Sequence, residues 1–217
     1  MKMNIAHLRQ DYQLKSLDIG DVDANPSLQF SKWFEEALKS EILEPNAMTL
    51  ATVSADGKPS ARIVLLKGIH TEGYGFVFYT NYDSKKGQEM AANPHVALCF
   101  NWLDLQRQIR IEGTVEKISP DISADYFSSR PKASQIGALA SPQSQVVPNR
   151  AFLEENYQKI TAQYADTEGV PRPENWGGYV VHPTLIEFWQ GRRSRLHDRI
   201  CYTRQKNGDW KIERLAP

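Results

Sequence analysis

Residues 47–68 read AMTLATVSADGKPSARIVLLKG. Two runs rich in β-branched and aliphatic residues flank Asp56-Gly57, a dipeptide suited to the positive φ angles of a tight hairpin, so the stretch reads as two antiparallel strands. The pattern continues outward in YGFVFYT (74–80), HVALCFN (95–101) and RQIRIEGTVEKI (107–118). In the last of these Ile109, Ile111 and Val115 alternate with Gln108, Arg110 and Glu112, the period of a half-buried strand. Strands resume at WGGYVVHP (176–183), TLIEFWQG (184–191), DRICYTR (198–204) and DWKIERLAP (209–217). Helical interruptions are expected only at DSKKGQEMAANP (83–94) and from Pro120 to about Ala165. Strands close in sequence, joined by tight turns and only occasionally by helices, predict a mainly β chain with peripheral helices (α+β): an antiparallel barrel, not a parallel βαβ sheet.

One further helix is expected near the start. Asn25 is an N-cap residue with Pro26 in the first turn, and Phe30, Trp33, Phe34, Ala37, Leu38 and Ile42 recur at helical spacing. DTEGVPRPENWGG (166–178) reads as a loop within the domain. The 217 residues suit a single domain, with 41% hydrophobic and 24% charged residues near the globular norm. No apolar run approaches the roughly 20 residues of a spanning helix, and the N-terminus has no apolar signal core, so a cytoplasmic protein without a membrane segment is expected. Cys99 and Cys201 are far apart and outside any metal-binding spacing, which predicts reduced thiols and no metal site.

Twenty-six basic residues balance twenty-six acidic ones, which argues against a general nucleic-acid binder. The balance is uneven, however. Residues 1–60 hold six Lys/Arg against nine Asp/Glu, and residues 186–204 hold five against two. Basic charge concentrated in one aromatic-rich segment suits a compact anionic ligand better than a long polyanion.

Four places suggest chemistry. Arg62 and Lys67 stand on opposite faces of a regular strand unless a bulge or the strand end re-aims one of them; otherwise both are solvated strand-end charges. Asp83 or Ser84 can cap a helix opening with Lys85 and Lys86, where lysines oppose the helix dipole and an anion would relieve the conflict; the alternative is a solvated first turn. Tyr126 and Arg130 share a helix face, and Pro131 ends that helix and suits the start of another with Lys132 and Ser134 in its first turn, an arrangement that can serve as a second phosphate cradle but does not by itself require one. In IEFWQGRRSRLHDR (186–199), a strand would let Trp189 face a planar ligand while Arg195, His197 and Arg199 alternate onto one side; the alternative is a basic surface loop, which would not need Trp, His and Arg at these intervals.

RIVLLK (62–67), FYTNYDSKKG (78–87), RQIRIEG (107–113), YFSSRPKASQIGALAS (126–141), IEFWQGRRSRLHDR and the terminal IERLAP together resemble the pyridoxine/pyridoxamine 5'-phosphate oxidase family, in the right order and from about Ile5 to Pro217. The resemblance implies an FMN-binding split β-barrel assembled as a homodimer. It implies oxidation of pyridoxamine 5'-phosphate and pyridoxine 5'-phosphate to pyridoxal 5'-phosphate, with dioxygen as acceptor and hydrogen peroxide as product, a step of vitamin B6 biosynthesis or salvage. Carried over by motif, the FMN contacts are Arg62, Ile63, Val64, Leu65, Leu66, Lys67, Tyr79, Thr80, Lys85, Lys86, Gln108, Gln143, Ser144, Trp189 and Arg199. The substrate phosphate falls to Lys67, Tyr126, Arg130 and Ser134. Arg195 and His197 lie over the pyridine ring in catalytic roles, and Arg9 and Tyr12 belong to an N-terminal segment, residues 1–20, that covers the site. Lys85 departs from the family's common arginine and replaces a bidentate fork with a point charge. Two rivals remain: a flavin- or haem-binding module of the same barrel without oxidase activity, and a polyanion binder using the arginine cluster.

Overall fold

A computed structural model describes residues 3–5, 7–8, 10–70 and 75–217. Its strands are β1 (Ala47–Val53), β2 (Pro59–Leu65), β3 (Gly68–His70), β4 (Gly75–Asn81), β5 (His95–Trp102), β6 (Arg107–Lys117), β7 (Trp176–Gln190), β8 (Asp198–Arg204) and β9 (Trp210–Arg214). Its α-helices are α1 (Pro26–Lys39), α2 (Lys85–Ala92), α3 (Pro120–Ser129), α4 (Lys132–Ala140) and α5 (Arg150–Gln163). Hydrogen-bonded strand neighbours run β2-β1-β5-β6-β7-β4-β3, with β8 on β7 and β9 on β8. The ladders of β3 with β4, β4 with β7, β7 with β8 and β8 with β9 are antiparallel. No helix among the described residues is long and apolar enough to cross a membrane.

The opening hairpin forms as its sequence requires. The Ser54 amide donates to the Lys58 carbonyl at 3.0 Å, and Gly57 takes φ +80°, a value that costs a residue without Cβ little. Two differences from the sequence reading concern strand ends. The run SARIVLLKG breaks after Leu65, and Gly68–His70 forms the separate strand β3. WGGYVVHP and TLIEFWQG form one continuous strand, β7, despite Pro183. The reason is its ladder: residues 176–181 pair with β4 and residues 185–190 pair with β8, so Pro183, which has no amide to donate, falls where the strand changes partners.

The chain divides into two compact units. One comprises Met1–Thr49, Ala97–Gly113 and Pro183–Pro217. Asn25 caps α1 by accepting from the Ser27 amide at 2.9 Å, and Pro26 occupies the first turn. Phe30, Trp33 and Ala37 are buried, Phe30 edge-on to Phe100 and Trp33 edge-on to Phe188. Each such aromatic contributes roughly 1.5–3 kcal/mol by leaving water. The apolar stripe is narrower than its spacing suggested, since Leu38 is exposed and Ile42 lies beyond the helix end. Ile109, Ile111, Ile186, Phe188, Ile200 and Tyr202 complete this core.

The second unit comprises Leu50–Val96 and Thr114–His182. Phe76, Phe78, Val181, Phe127, Ile136 and Met90 are buried within it. Gly87 and Gly177 are required by close approach: a Cβ at Gly87 would collide with the Tyr82 carbonyl oxygen, and one at Gly177 would collide with the Tyr82 hydroxyl. Cys99 is half-buried and Cys201 buried, both free thiols.

Candidate functional site

The chemistry-bearing residues form two clusters, one in each unit. In the second unit a cavity of about 520 Å³ is lined by Arg62, Ile63, Val64, Leu65, Lys67, Tyr79, Thr80, Lys86, Tyr126, Arg130, Pro131, Ser134, Gln143 and Trp176. That size is ordinary for a small-molecule site.

The strand break explains how Arg62 and Lys67 come to share it. After Leu65 the chain turns Leu66 into the core, and the Lys67 amide donates to the Val77 carbonyl at 2.8 Å, so the alternation of β2 no longer governs Lys67. Arg62 is held from behind. Its guanidinium donates to Thr52 Oγ1 at 2.5 Å, Ser60 Oγ at 2.6 Å and the Leu50 carbonyl at 3.2 Å, and pairs with Glu89 at 3.2 Å. Glu89 also accepts from Thr52 at 2.6 Å and Ser60 at 2.7 Å. Burial pushes the Glu89 carboxyl up, but those two hydrogen bonds and the charges of Arg62 and Lys85 outweigh it, so its pKa sits below the ordinary value.

At the start of α2, Ser84 is the capping residue. The Lys86 ammonium donates to Thr80 Oγ1 at 3.1 Å and Gln143 Oε1 at 3.0 Å, both neutral oxygens. Burial, and then the Arg62 charge, lower its pKa. Lys85 does not line the cavity; it is exposed and lies 3.8 Å from Glu89.

The third wall is the corner between α3 and α4. Arg130 leaves α3 in an extended conformation ahead of Pro131, and α4 opens at Lys132 with Ser134 in its first turn. Gln135, buried, braces the corner by donating to the Arg130 carbonyl at 2.8 Å and accepting from the Val170 amide at 2.9 Å. Tyr79 and Tyr126 stack at 3.9 Å, and the Arg130 guanidinium lies 4.7 Å over the Trp176 ring. Burial raises the pKa of both tyrosines, so their hydroxyls remain protonated donors near neutrality.

This chemistry fits phosphate groups. Among the described residues neither Lys67, Lys86 nor Arg130 has a carboxylate partner, and Arg130 Nη1 is buried without any hydrogen-bond partner. A buried unpaired donor on a cation is costly unless a ligand supplies the acceptor. Phosphoryl groups, each offering several acceptor oxygens and negative charge, match that excess of donors and positive charge.

In the first unit a cavity of about 610 Å³ is lined by Leu8, Gln10, Asp11, Tyr12, Arg192, Ser194, Arg195 and His197. The Trp189 and His197 rings lie 4.5 Å apart, and Tyr12 approaches each at 5.9 Å. The Arg192 amide donates to His197 Nδ1 at 3.1 Å, which favours the neutral imidazole carrying its proton on Nε2. Burial, and then the Arg195 charge, lower the His197 pKa. The expected alternation of Arg195, His197 and Arg199 on one strand face is corrected here. Residues 193–195 form a 3-10 turn in which Ser194 and Arg195 take φ +55° and +61°, so the strand period stops before His197. Arg199 is back on a strand, opposite Trp189, and its guanidinium grips the buried Glu187 in a fork at 2.7 and 3.0 Å and the Ala216 carbonyl at 2.8 Å.

Tyr12 is held near this turn by its neighbours: the Gln13 amide donates to Gln106 Oε1 at 2.9 Å, and Arg193 Nε donates to Gln13 Oε1 at 2.8 Å. Arg9 lies outside the described residues. Gln108 is half-buried on β6, and Ser144 is exposed at φ +71°; neither lines these two cavities. The sequence reading did not single out Glu89, Gln135, Trp176 or Glu187. An acid between two large apolar residues in a strand (Ile186-Glu187-Phe188) was the one available signal, since such a carboxylate needs a cation.

Comparison with known proteins follows the same lines. A family model described as pyridoxamine 5'-phosphate oxidase matches residues 34–164, and one described as the pyridoxine 5'-phosphate oxidase C-terminal dimerisation region matches residues 176–217. A Leptospira interrogans protein named pyridoxine/pyridoxamine 5'-phosphate oxidase is 58% identical over 217 residues, covering 100% of both chains. A protein of that name from Salinibacter ruber is 56% identical, covering 98% of this chain and 99% of its own. Among solved structures, PhzG from Burkholderia lata in complex with tetrahydrophenazine-1-carboxylic acid superposes with a TM-score of 0.88 at 27% identity, over 96% of this chain and 100% of that one. An FMN-binding protein from Nostoc punctiforme, related to pyridoxamine 5'-phosphate oxidase, gives 0.68 at 18% identity, over 87% and 97%. The antiparallel, mainly β architecture with peripheral helices that the strand pattern predicted, and the split barrel that the family resemblance implied, agree with the fold of these neighbours.

Proposed function

Because the chain belongs to the pyridoxine/pyridoxamine 5'-phosphate oxidase family, whose members are flavin-dependent oxidoreductases, we propose that it oxidises pyridoxamine 5'-phosphate and pyridoxine 5'-phosphate to pyridoxal 5'-phosphate, using FMN and dioxygen and releasing hydrogen peroxide. The match of residues 176–217 to a dimerisation region supports a homodimer. The whole chain acts as one FMN-binding domain, with residues 1–20 covering the site. The observation that carries this reading is the cluster of carboxylate-free cations, Lys67, Lys86 and Arg130, around a cavity that also presents tyrosine and serine hydroxyls.

In this reading Arg62, Lys86, Thr80 and Gln143 hold the FMN phosphate, with the backbone of residues 63–66 beside the flavin. Tyr79 lines the same cavity, and the family resemblance assigns the remaining flavin contacts to Lys85, Gln108, Ser144, Trp189 and Arg199, which line neither cavity of this chain. Lys67, Tyr126, Arg130 and Ser134 hold the substrate phosphate, and charge pairing at that end orients the exocyclic carbon bearing the amine or alcohol. FMN, when bound, supplies the redox chemistry, accepting a hydride and passing electrons to dioxygen. Arg195 covers the pyridine ring and stabilises negative charge on its oxygen substituent. His197, favoured as the neutral imidazole by burial and the Arg195 charge and held with its proton on Nε2 by the Arg192 amide at Nδ1, uses Nε2 to orient or relay a proton to the ring substituents. Tyr12, which lines the cavity of Arg195 and His197, shields the substrate from water.

The test is the visible spectrum of the FMN-loaded protein on anaerobic addition of pyridoxamine 5'-phosphate. Bleaching of the flavin bands, restored by air, is expected. A colourless protein that cannot be reconstituted with FMN rejects the proposal. The likeness to PhzG gives a second reading, oxidation of a tricyclic carboxylic acid. A single carboxylate carries less charge than a phosphate monoester and compensates only one of Lys67 and Arg130, so bleaching by a reduced phenazine carboxylic acid but not by pyridoxamine 5'-phosphate would select that alternative.

A further inference from the structure

We propose that Trp176 is a positioning residue that fixes the Arg130 guanidinium against its ring face, so that Arg130 presents a bare donor to the phosphate monoester of the substrate. The proposal rests on the phosphate-ester reading above and adds the residue that sets its selectivity for phosphorylated over unphosphorylated substrates.

Arg130 is anchored at its base and unpaired at its tip. Its amide donates to the Phe127 carbonyl at 3.2 Å and its carbonyl accepts from Gln135, while Nη1 is buried with no partner. Burial lowers the arginine's pKa, and the nearby Tyr126 offsets only part of this. A cation in that position would normally be held by a carboxylate. What stands against it instead is aromatic: the guanidinium carbon lies 4.7 Å from the centre of the Trp176 ring and 5.4 Å from that of Phe127. A ring face attracts the cation without occupying its in-plane N–H donors, which a carboxylate fork would consume.

Trp176 is itself held by its neighbours on the sides away from the cavity. Its ring is nearly parallel to Tyr79 at 5.5 Å and edge-on to Phe127 at 4.9 Å. Its carbonyl accepts from Arg172 at 2.5 Å, and its amide donates to the Pro173 carbonyl at 3.0 Å. The following Gly177 lets the strand press against the Tyr82 ring and hydroxyl at a distance no Cβ permits, with Ser123 Oγ close by. The WGG sequence therefore has a specific purpose: the two glycines bring the backbone in, and the tryptophan fixes the arginine.

The experiment compares Trp176→Leu and Trp176→Phe in the FMN-loaded protein, with pyridoxamine 5'-phosphate and with unphosphorylated pyridoxamine as substrates. Phenylalanine keeps a ring face, and leucine fills space without one. Trp176→Leu is expected to raise KM for the phosphorylated substrate about tenfold, the scale of a partly desolvated cation–π contact. The kcat is expected to stay within about twofold, KM for pyridoxamine to be unchanged, and Trp176→Phe to recover most of the loss. Calorimetric titration with inorganic phosphate, in the presence of excess FMN, is expected to show the same tenfold weakening in Trp176→Leu. Equal losses on both substrates, a fall in kcat without a change in KM, or a phenylalanine variant no better than leucine overturns the proposal. If the parent protein turns over neither substrate, the functional reading fails; tryptophan-dependent phosphate affinity then still upholds the positioning role, and tryptophan-independent affinity overturns it.

Discussion

Replacing Glu89 with alanine removes the carboxylate on which the wall behind Arg62 converges. Glu89 is 6% exposed and accepts from Thr52, Ser60 and Arg62, with Lys85 at 3.8 Å. The loss leaves Arg62, whose side chain is 20% exposed, as a largely buried cation held only by two hydroxyls and the Leu50 carbonyl. Breaking a buried ion pair by deleting one partner costs about 3–5 kcal/mol. The surviving neutral partners of Arg62 place this case at the lower end, about 3 kcal/mol. For a chain of this length each kcal/mol shifts the midpoint by about 2–4 °C, so the expected drop is about 6–12 °C. Glu89→Gln keeps the shape and one acceptor oxygen but turns an amide donor toward other donors, and is expected to cost roughly half as much. Urea unfolding followed by tryptophan fluorescence measures both. The pH dependence has a definite sign. With a folded pKa below the ordinary 4.5, the carboxylate contributes fully above that value and its contribution is lost as pH falls through the depressed one. The gap between parent and Glu89→Ala therefore closes in acid. A Glu89→Ala protein within about 1 kcal/mol of the parent at neutral pH, or a gap that widens in acid, would show that this carboxylate is not what holds the buried Arg62 network together.

Arg195→Leu is expected to lower turnover much more than FMN affinity, checked by single-turnover kinetics against flavin titration; equal losses in both count against its place over the substrate ring. The acid limb of kcat/KM, if set by His197, is expected to lie below the ordinary histidine value of 6.5, because burial and then Arg195 lower the His197 pKa, and to move upward in Arg195→Leu. A limb that stays put in the variant shows that another group sets it. Gly87→Ala would drive a Cβ into the Tyr82 carbonyl oxygen, a backbone atom that cannot rotate away, and is expected to destabilise the protein by about 1–3 kcal/mol in thermal unfolding.

Much of this molecule is written in local sequence. Asp56-Gly57 determines the first hairpin, Asn25 and Ser84 determine where α1 and α2 begin, and Pro131 determines the corner that separates Arg130 from Ser134. These features depend on one residue's backbone preference or a side chain reaching its own next turn, so a short window contains the whole cause. Tertiary structure decided the rest. Period-two alternation put Arg62 and Lys67 on opposite faces, and only the pairing of the Lys67 amide with Val77 on β4 brought them to one cavity. Alternation likewise put Arg199 with Arg195 and His197, whereas the buried Glu187 on the neighbouring strand claims its guanidinium. Pro183 looked like a strand end until the ladder on either side of it was known. A partner's identity depends on which strand lies alongside and in what register, and that is a property of the folded sheet, which no run of neighbouring residues encodes.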